Sequence, residues 1–85
     1  MTQSNSGLTP PEQFLLELWH QNQGAISRTL MASEADPAAR QDLKQDIFLA
    51  LHQAAERLQA AELPRAYLFR IVHNVTVDHI ARAQR

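Results

Sequence analysis

Residues 64–80 read PRAYLFRIVHNVTVDHI. Apolar side chains fill more than half of this stretch, yet Arg70, His73 and Asn74 sit in its middle. Five β-branched residues from Ile71 to Val77 invite a strand. Helical phase settles the matter. At about 100° per residue, Leu68, Ile71, Val72, Val75 and His79 fall on one stripe, while Arg70, His73, Asn74 and Val77 point away from it. Tyr67 and Asp78 flank that polar ridge, and Phe69, Thr76 and Ile80 form a second apolar strip, so the helix is expected to pack on two sides and to show a narrow polar ridge. Pro64 suits the first turn of such a helix, where its missing N–H costs nothing.

Working towards the N-terminus, Asp36-Pro37 reads as an N-cap followed by a first helical residue. A second helix runs from there to about Leu58, with Leu43, Ile47, Ala50, Leu51, Ala54 and Leu58 on one face. Thr9-Pro-Pro-Glu12 has the form of a capping box and opens a first helix carrying Phe14, Leu15, Leu18, Trp19, Ile26 and Leu30, with Gly24 as its weak point. Residues 1–8 are polar and are expected to form a disordered tail; residues 9–85 are the folded domain. The predicted fold is therefore all-α, a compact bundle of three main helices. Two glycines among 85 residues agree with that.

Composition narrows the function. A chain of 85 residues forms one domain with a modest core. It has no cysteine, no basic-then-apolar leader and no apolar run of spanning length, which fits a cytoplasmic protein. Net charge is −1, but its distribution is uneven: residues 1–63 carry −4 and residues 64–85 carry +3, which points to two surfaces with different partners. His73 and His79 are six apart and face different ways, His20 and His52 have no partner at helical spacing, and no metal or cofactor site is expected. His79 reads as a hydrogen-bonded core histidine. Nothing resembles a nucleophile with its base, a phosphate loop or a paired-carboxylate cleft, so the chain is not expected to be an enzyme.

Two helical faces stand apart from the core pattern. On the second helix Asp42, Gln45, Asp46 and Leu49 share a face; two like charges at i,i+4 surround an apolar residue, which suits a partner offering arginines and a hydrophobic spot. On the third, Arg70, His73 and Asn74, with Tyr67 alongside, could hold phosphates or read bases. Each face also has a plain structural reading: a solvated acidic surface on one helix, and on the other a half-core tyrosine beside an arginine paired with a neighbouring acid.

The two faces together resemble region two of the extracytoplasmic-function sigma factors, most closely the iron-starvation subgroup. The matching residues are Asp42, Leu43, Gln45, Asp46, Phe48 and Leu51, then Leu68, Arg70, Ile71, Asn74, Asp78 and His79, within a likeness that covers about residues 12–85. The resemblance implies that Asp42, Gln45, Asp46 and Leu49 dock on the clamp helices of the RNA polymerase β′ subunit. It implies that a loop at about Leu58–Leu63 pockets a flipped-out base. Tyr67, Arg70, His73 and Asn74 would line the path of single-stranded minus-ten promoter DNA, with Arg65, Arg82 and Arg85 on phosphates. An anti-sigma factor is a further implied partner. The likeness departs in three places: the tail Ala81-Arg82-Ala83-Gln84-Arg85 lacks the family's Arg-Arg run, Glu62 sits in the loop, and no counterpart of region four follows, so the chain alone should bind promoter DNA feebly. The alternative is a helical interaction module without promoter activity, held by an anti-sigma factor or by a second copy through the strip Phe69, Thr76 and Ile80.

Overall fold

The computed structural model describes residues 7–84; residues 1–6, where most of the expected tail falls, and Arg85 lie outside the described residues. Five helices follow one another: α1 Pro10–Gln21, α2 Gln23–Ser33, α3 Pro37–Gln53, α4 Ala55–Ala60 and α5 Pro64–Ala83. No strand occurs among the described residues. The three expected segments are there, the first two each divided once.

The starts follow from local chemistry. Thr9 accepts at Oγ1 from the Glu12 N–H at 3.3 Å, and Glu12 accepts from the Thr9 N–H at 2.9 Å, a reciprocal capping box over Pro10. Asp36 accepts from the Ala39 N–H at 2.9 Å and opens α3 ahead of Pro37. The first helix breaks at Asn22 and not at Gly24, which stays inside α2. Asn22 is buried, and its amide Nδ2 donates to the Leu18 carbonyl at 2.8 Å while its backbone leaves helical geometry at φ −115°, ψ 12°. A similar step at Ala54 separates α3 from α4.

Leu15, Leu18, Ile26, Leu30, Leu43, Ile47, Leu51, Leu58, Leu68 and Val72 form one buried cluster drawn from all five helices. Each such side chain contributes about 1.5–3 kcal/mol on burial. α5 lies chiefly along α3, and α1 along α4. Trp19 packs edge-on against Phe48, with ring centroids 5.1 Å apart. Two histidine–carboxylate ties join residues far apart in the chain: His52 Nε2 to Glu12 Oε2 at 3.1 Å, and His79 Nε2 to Glu34 Oε1 at 2.8 Å. His79 is thus hydrogen-bonded as expected, but half-buried at the edge of the core and not within it.

Two expectations need correction. The apolar strip Phe69, Thr76 and Ile80 packs as a second side of α5 and is not the exposed strip of the interaction-module alternative: Thr76 is buried, its hydroxyl donating to the Val72 carbonyl at 2.7 Å, and the other two are half-buried. The inner stripe of α5 is therefore Leu68, Val72 and Thr76, with Ile71, Val75 and His79 half-buried along one edge. The loop expected over Leu58–Leu63 shortens to Ala61–Leu63, because good helix formers carry α4 to Ala60 and Leu58 is wholly buried.

Candidate functional site

α3 presents Asp42, Gln45, Asp46 and Leu49 to solvent, and its opposite side buries Leu43, Ile47 and Leu51. The positions advance by three or four residues, so they form one row. Leu49 is 56% exposed, a large apolar side chain held in water beside two carboxylates. Next to it lies a shallow, mainly apolar groove of about 400 Å³, lined by Trp19, Gln41, Lys44, Gln45, Phe48, Leu49 and His52. Sequence reasoning placed Trp19 in the core and missed its half-exposed edge. The pairing with Phe48, which comes from a different helix, leaves that edge at the surface.

On α5, Arg70, His73 and Asn74 are exposed on one ridge with Val77. None of the three polar side chains has a side-chain partner among the described residues. The other residues expected at the DNA are placed differently. Tyr67 is half-buried, and its hydroxyl accepts from Arg57 Nε of α4 at 3.1 Å. Arg65 turns to Asn22, donating from Nε to Oδ1 at 2.8 Å, with its guanidinium 5.0 Å from the centroid of the Phe69 ring. Arg82 pairs with Asp78 at 3.3 Å and approaches Asp46 at 3.9 Å, so it connects the end of α5 to the acidic row of α3. Arg85 lies outside the described residues.

The structure therefore brings Asp42, Gln45, Asp46 and Leu49 together on one face and Arg70, His73 and Asn74 together on another. It draws Arg65 and Tyr67 into contacts with neighbouring helices. Between α4 and α5, the three-residue loop exposes Glu62 and leaves Leu63 72% exposed.

The electrostatics of the two histidine ties are local. The Thr9 backbone N–H, followed by the His52 ring, holds the Glu12 carboxyl below its ordinary pKa. The His79 ring, followed by the Asp36 backbone N–H, does the same for Glu34. Both are cases of hydrogen bonds favouring the ionised carboxylate. With His52 and His79 so engaged, no group of three histidines, cysteines or carboxylates among the described residues is arranged to hold a metal ion. No helix among them is long and apolar enough to cross a membrane.

Comparison with known proteins gives one match. The family model for sigma-70 region 2 covers residues 18–85, from the last turn of α1 through α5, and so includes both exposed faces. No curated protein and no solved structure matches the chain. With the match spanning most of its length, the chain belongs to the sigma-70 region 2 family, a family of transcription initiation factors and not of enzymes, whose general work is RNA polymerase binding and recognition of the minus-ten promoter element.

Proposed function

We propose that the α3 row docks on the clamp helices of the polymerase β′ subunit and that the α5 ridge takes up the melted minus-ten strand. Asp42, Gln45 and Asp46 supply the polar contacts of docking, and Leu49 with the Trp19–Phe48 groove supplies its apolar centre. Arg70, His73 and Asn74 face the single strand. An unpaired base offers its hydrogen-bonding edge and its ring face to side chains that a duplex would keep out of reach. The observation that carries this reading is the exposed ridge: three polar side chains, without a side-chain partner among the described residues, project from the helix whose inner side is the packing spine of the domain.

The finer assignment, to the extracytoplasmic-function type and its iron-starvation subgroup, rests on the motif likeness around Asp42–Leu51 and Leu68–His79. A cytoplasmic place and control by an anti-sigma factor belong to the same reading. The competing interaction-module reading has lost its strip, because Thr76 is buried. An anti-sigma factor would block docking most directly by covering the groove beside Leu49.

The test is titration of a labelled single-stranded minus-ten oligonucleotide at several salt concentrations. For one phosphate contact, the slope of log affinity against log salt changes by about 0.7 on a single strand. Arg70→Ala is expected to weaken binding and to lower the slope by up to that amount. An Arg70→Ala protein that binds as the native chain does at every salt concentration refutes the role of the ridge.

A further inference from the structure

We propose that Arg65 is a positioning residue: through Asn22 it locks the start of α5, and with it the loop Ala61–Leu63 and the ridge, onto the break between α1 and α2. The proposal rests on the preceding reading only for what the ridge binds. It replaces the phosphate contact expected of Arg65 with a different role.

Three observations carry it. First, asparagine is among the best N-cap residues, and Asn22 stands at the N-cap of α2. Yet its side chain makes no capping bond to α2. Both ends of the amide are used elsewhere, Nδ2 on the Leu18 carbonyl and Oδ1 on Arg65 Nε, each at 2.8 Å, and the residue is only 6% exposed. A favourable local cap is forgone for a charge-assisted bond to a residue 43 positions along the chain. Second, the start of α5 is poorly held by its own sequence. Leu63 at its N-cap provides no side-chain cap, and Pro64 has no N–H. In the loop the Ala61 N–H reaches the Leu58 carbonyl at a long 3.3 Å. Arg65 is the second residue of the helix, so its tether acts where the cap is missing. Third, the guanidinium lies over the Phe69 ring, one turn further on, while its Nε donates to Asn22, so one side chain makes both contacts at once. Lysine carries the same charge but cannot reproduce that geometry.

The experiment compares Arg65→Lys, Arg65→Ala, Asn22→Ala and the Asn22→Ala/Arg65→Ala double variant. Affinity for the single-stranded minus-ten oligonucleotide is measured across salt, thermal unfolding gives the folded fraction, and amide exchange is followed over residues 61–68. Arg65→Lys keeps the charge and is nonetheless expected to lose about tenfold in affinity, the weight of one charge-assisted hydrogen bond. Asn22→Ala is expected to lose as much, the double variant no more than the worse single, and none of them to change the salt slope. Exchange should accelerate at Ala61 and Tyr67, whose amides donate to the Leu58 and Leu63 carbonyls. Arg65→Lys binding normally while Arg65→Ala lowers the salt slope by about 0.7 would identify a phosphate contact and overturn the proposal. So would a fall in unfolding midpoint with unchanged affinity per folded molecule, since that is a purely structural tie. If Asn22→Ala does not fold, Arg65→Lys decides alone. If the native chain fails to bind the oligonucleotide, the ridge reading fails; unchanged exchange at Ala61 and Tyr67 in Arg65→Lys is the separate failure of the lock.

Discussion

Asp46→Ala separates docking from folding, and the structure sets the size of each effect. The Asp46 side chain is 51% exposed, and among the described residues its one ionic neighbour across helices is Arg82, 3.9 Å away and itself 57% exposed. Exposed pairs of this kind contribute about 0–1 kcal/mol. The loss is further offset, because removing Asp46 relieves its i,i+4 repulsion with Asp42, worth about 0.2–0.5 kcal/mol. Arg82 also keeps Asp78 at 3.3 Å. The net change in stability should lie within about 0.5 kcal/mol of zero, a shift of no more than about 4 °C in unfolding midpoint for a domain of this length. A carboxylate desolvated against a partner's arginine is a different matter: its truncation typically costs about 2–5 kcal/mol of binding, or thirtyfold and upwards. Asp46→Ala should therefore bind core polymerase, or an isolated β′ clamp-helix fragment, at least about thirtyfold more weakly with its helical circular dichroism intact. Asp46→Arg should be weaker still, since it places like charge against both Arg82 and the partner. Surface plasmon resonance together with thermal melts reads both quantities. Native affinity in Asp46→Ala, or a loss that merely tracks the unfolded fraction, would refute the docking assignment of the α3 row.

Leu68→Ala should cost about 2–5 kcal/mol in urea unfolding, because Leu68 is fully buried, whereas Leu49→Ala should stay within about 0.5 kcal/mol. Equal effects would contradict the face assignment of α3 and α5. The pH dependence follows from Glu12 and Glu34. Their folded-state pKa values are depressed, so the stability they add is present above the unfolded value of 4.5 and is lost as pH falls through the lower folded value. Urea midpoints of the native chain should therefore drop as pH falls below about 4.5, and Glu34→Gln should flatten that drop. An unaltered acid limb in Glu34→Gln would show that the His79 tie carries no linkage.

The plan of the domain was legible where cause and effect are close in sequence. Thr9 with Glu12, and Asp36 with Pro37, mark helix starts because capping is a contact across three residues. The stripe from Leu43 to Leu58 was legible because helical phase decides which side is buried. The breaks at Asn22 and Ala54 were not. The partner that makes Asn22 more than a surface asparagine is Arg65, far along the chain, and alanine carries no breaking signal at all. The same reason separates the residues of the candidate site. Arg70, His73 and Asn74 sit opposite the buried stripe, so phase alone places them in solvent. Arg65 and Tyr67 stand on its flank, where the direction of a side chain depends on which helix happens to lie beside it; here Asn22 and Arg57 take them. Thr76 lies on the apolar strip that phase gave it, and its methyl and its bond to the Val72 carbonyl let a polar residue occupy an inner position.

The edge-to-face pair of Trp19 and Phe48 has a use beyond packing. Trp19 is the single tryptophan of the chain, and its half-exposed ring lines the groove beside Leu49. The domain thus carries an intrinsic optical reporter at the face where docking is proposed. Ultraviolet excitation of the unmodified protein can follow a partner closing over that groove, with no dye attached to the surface being measured.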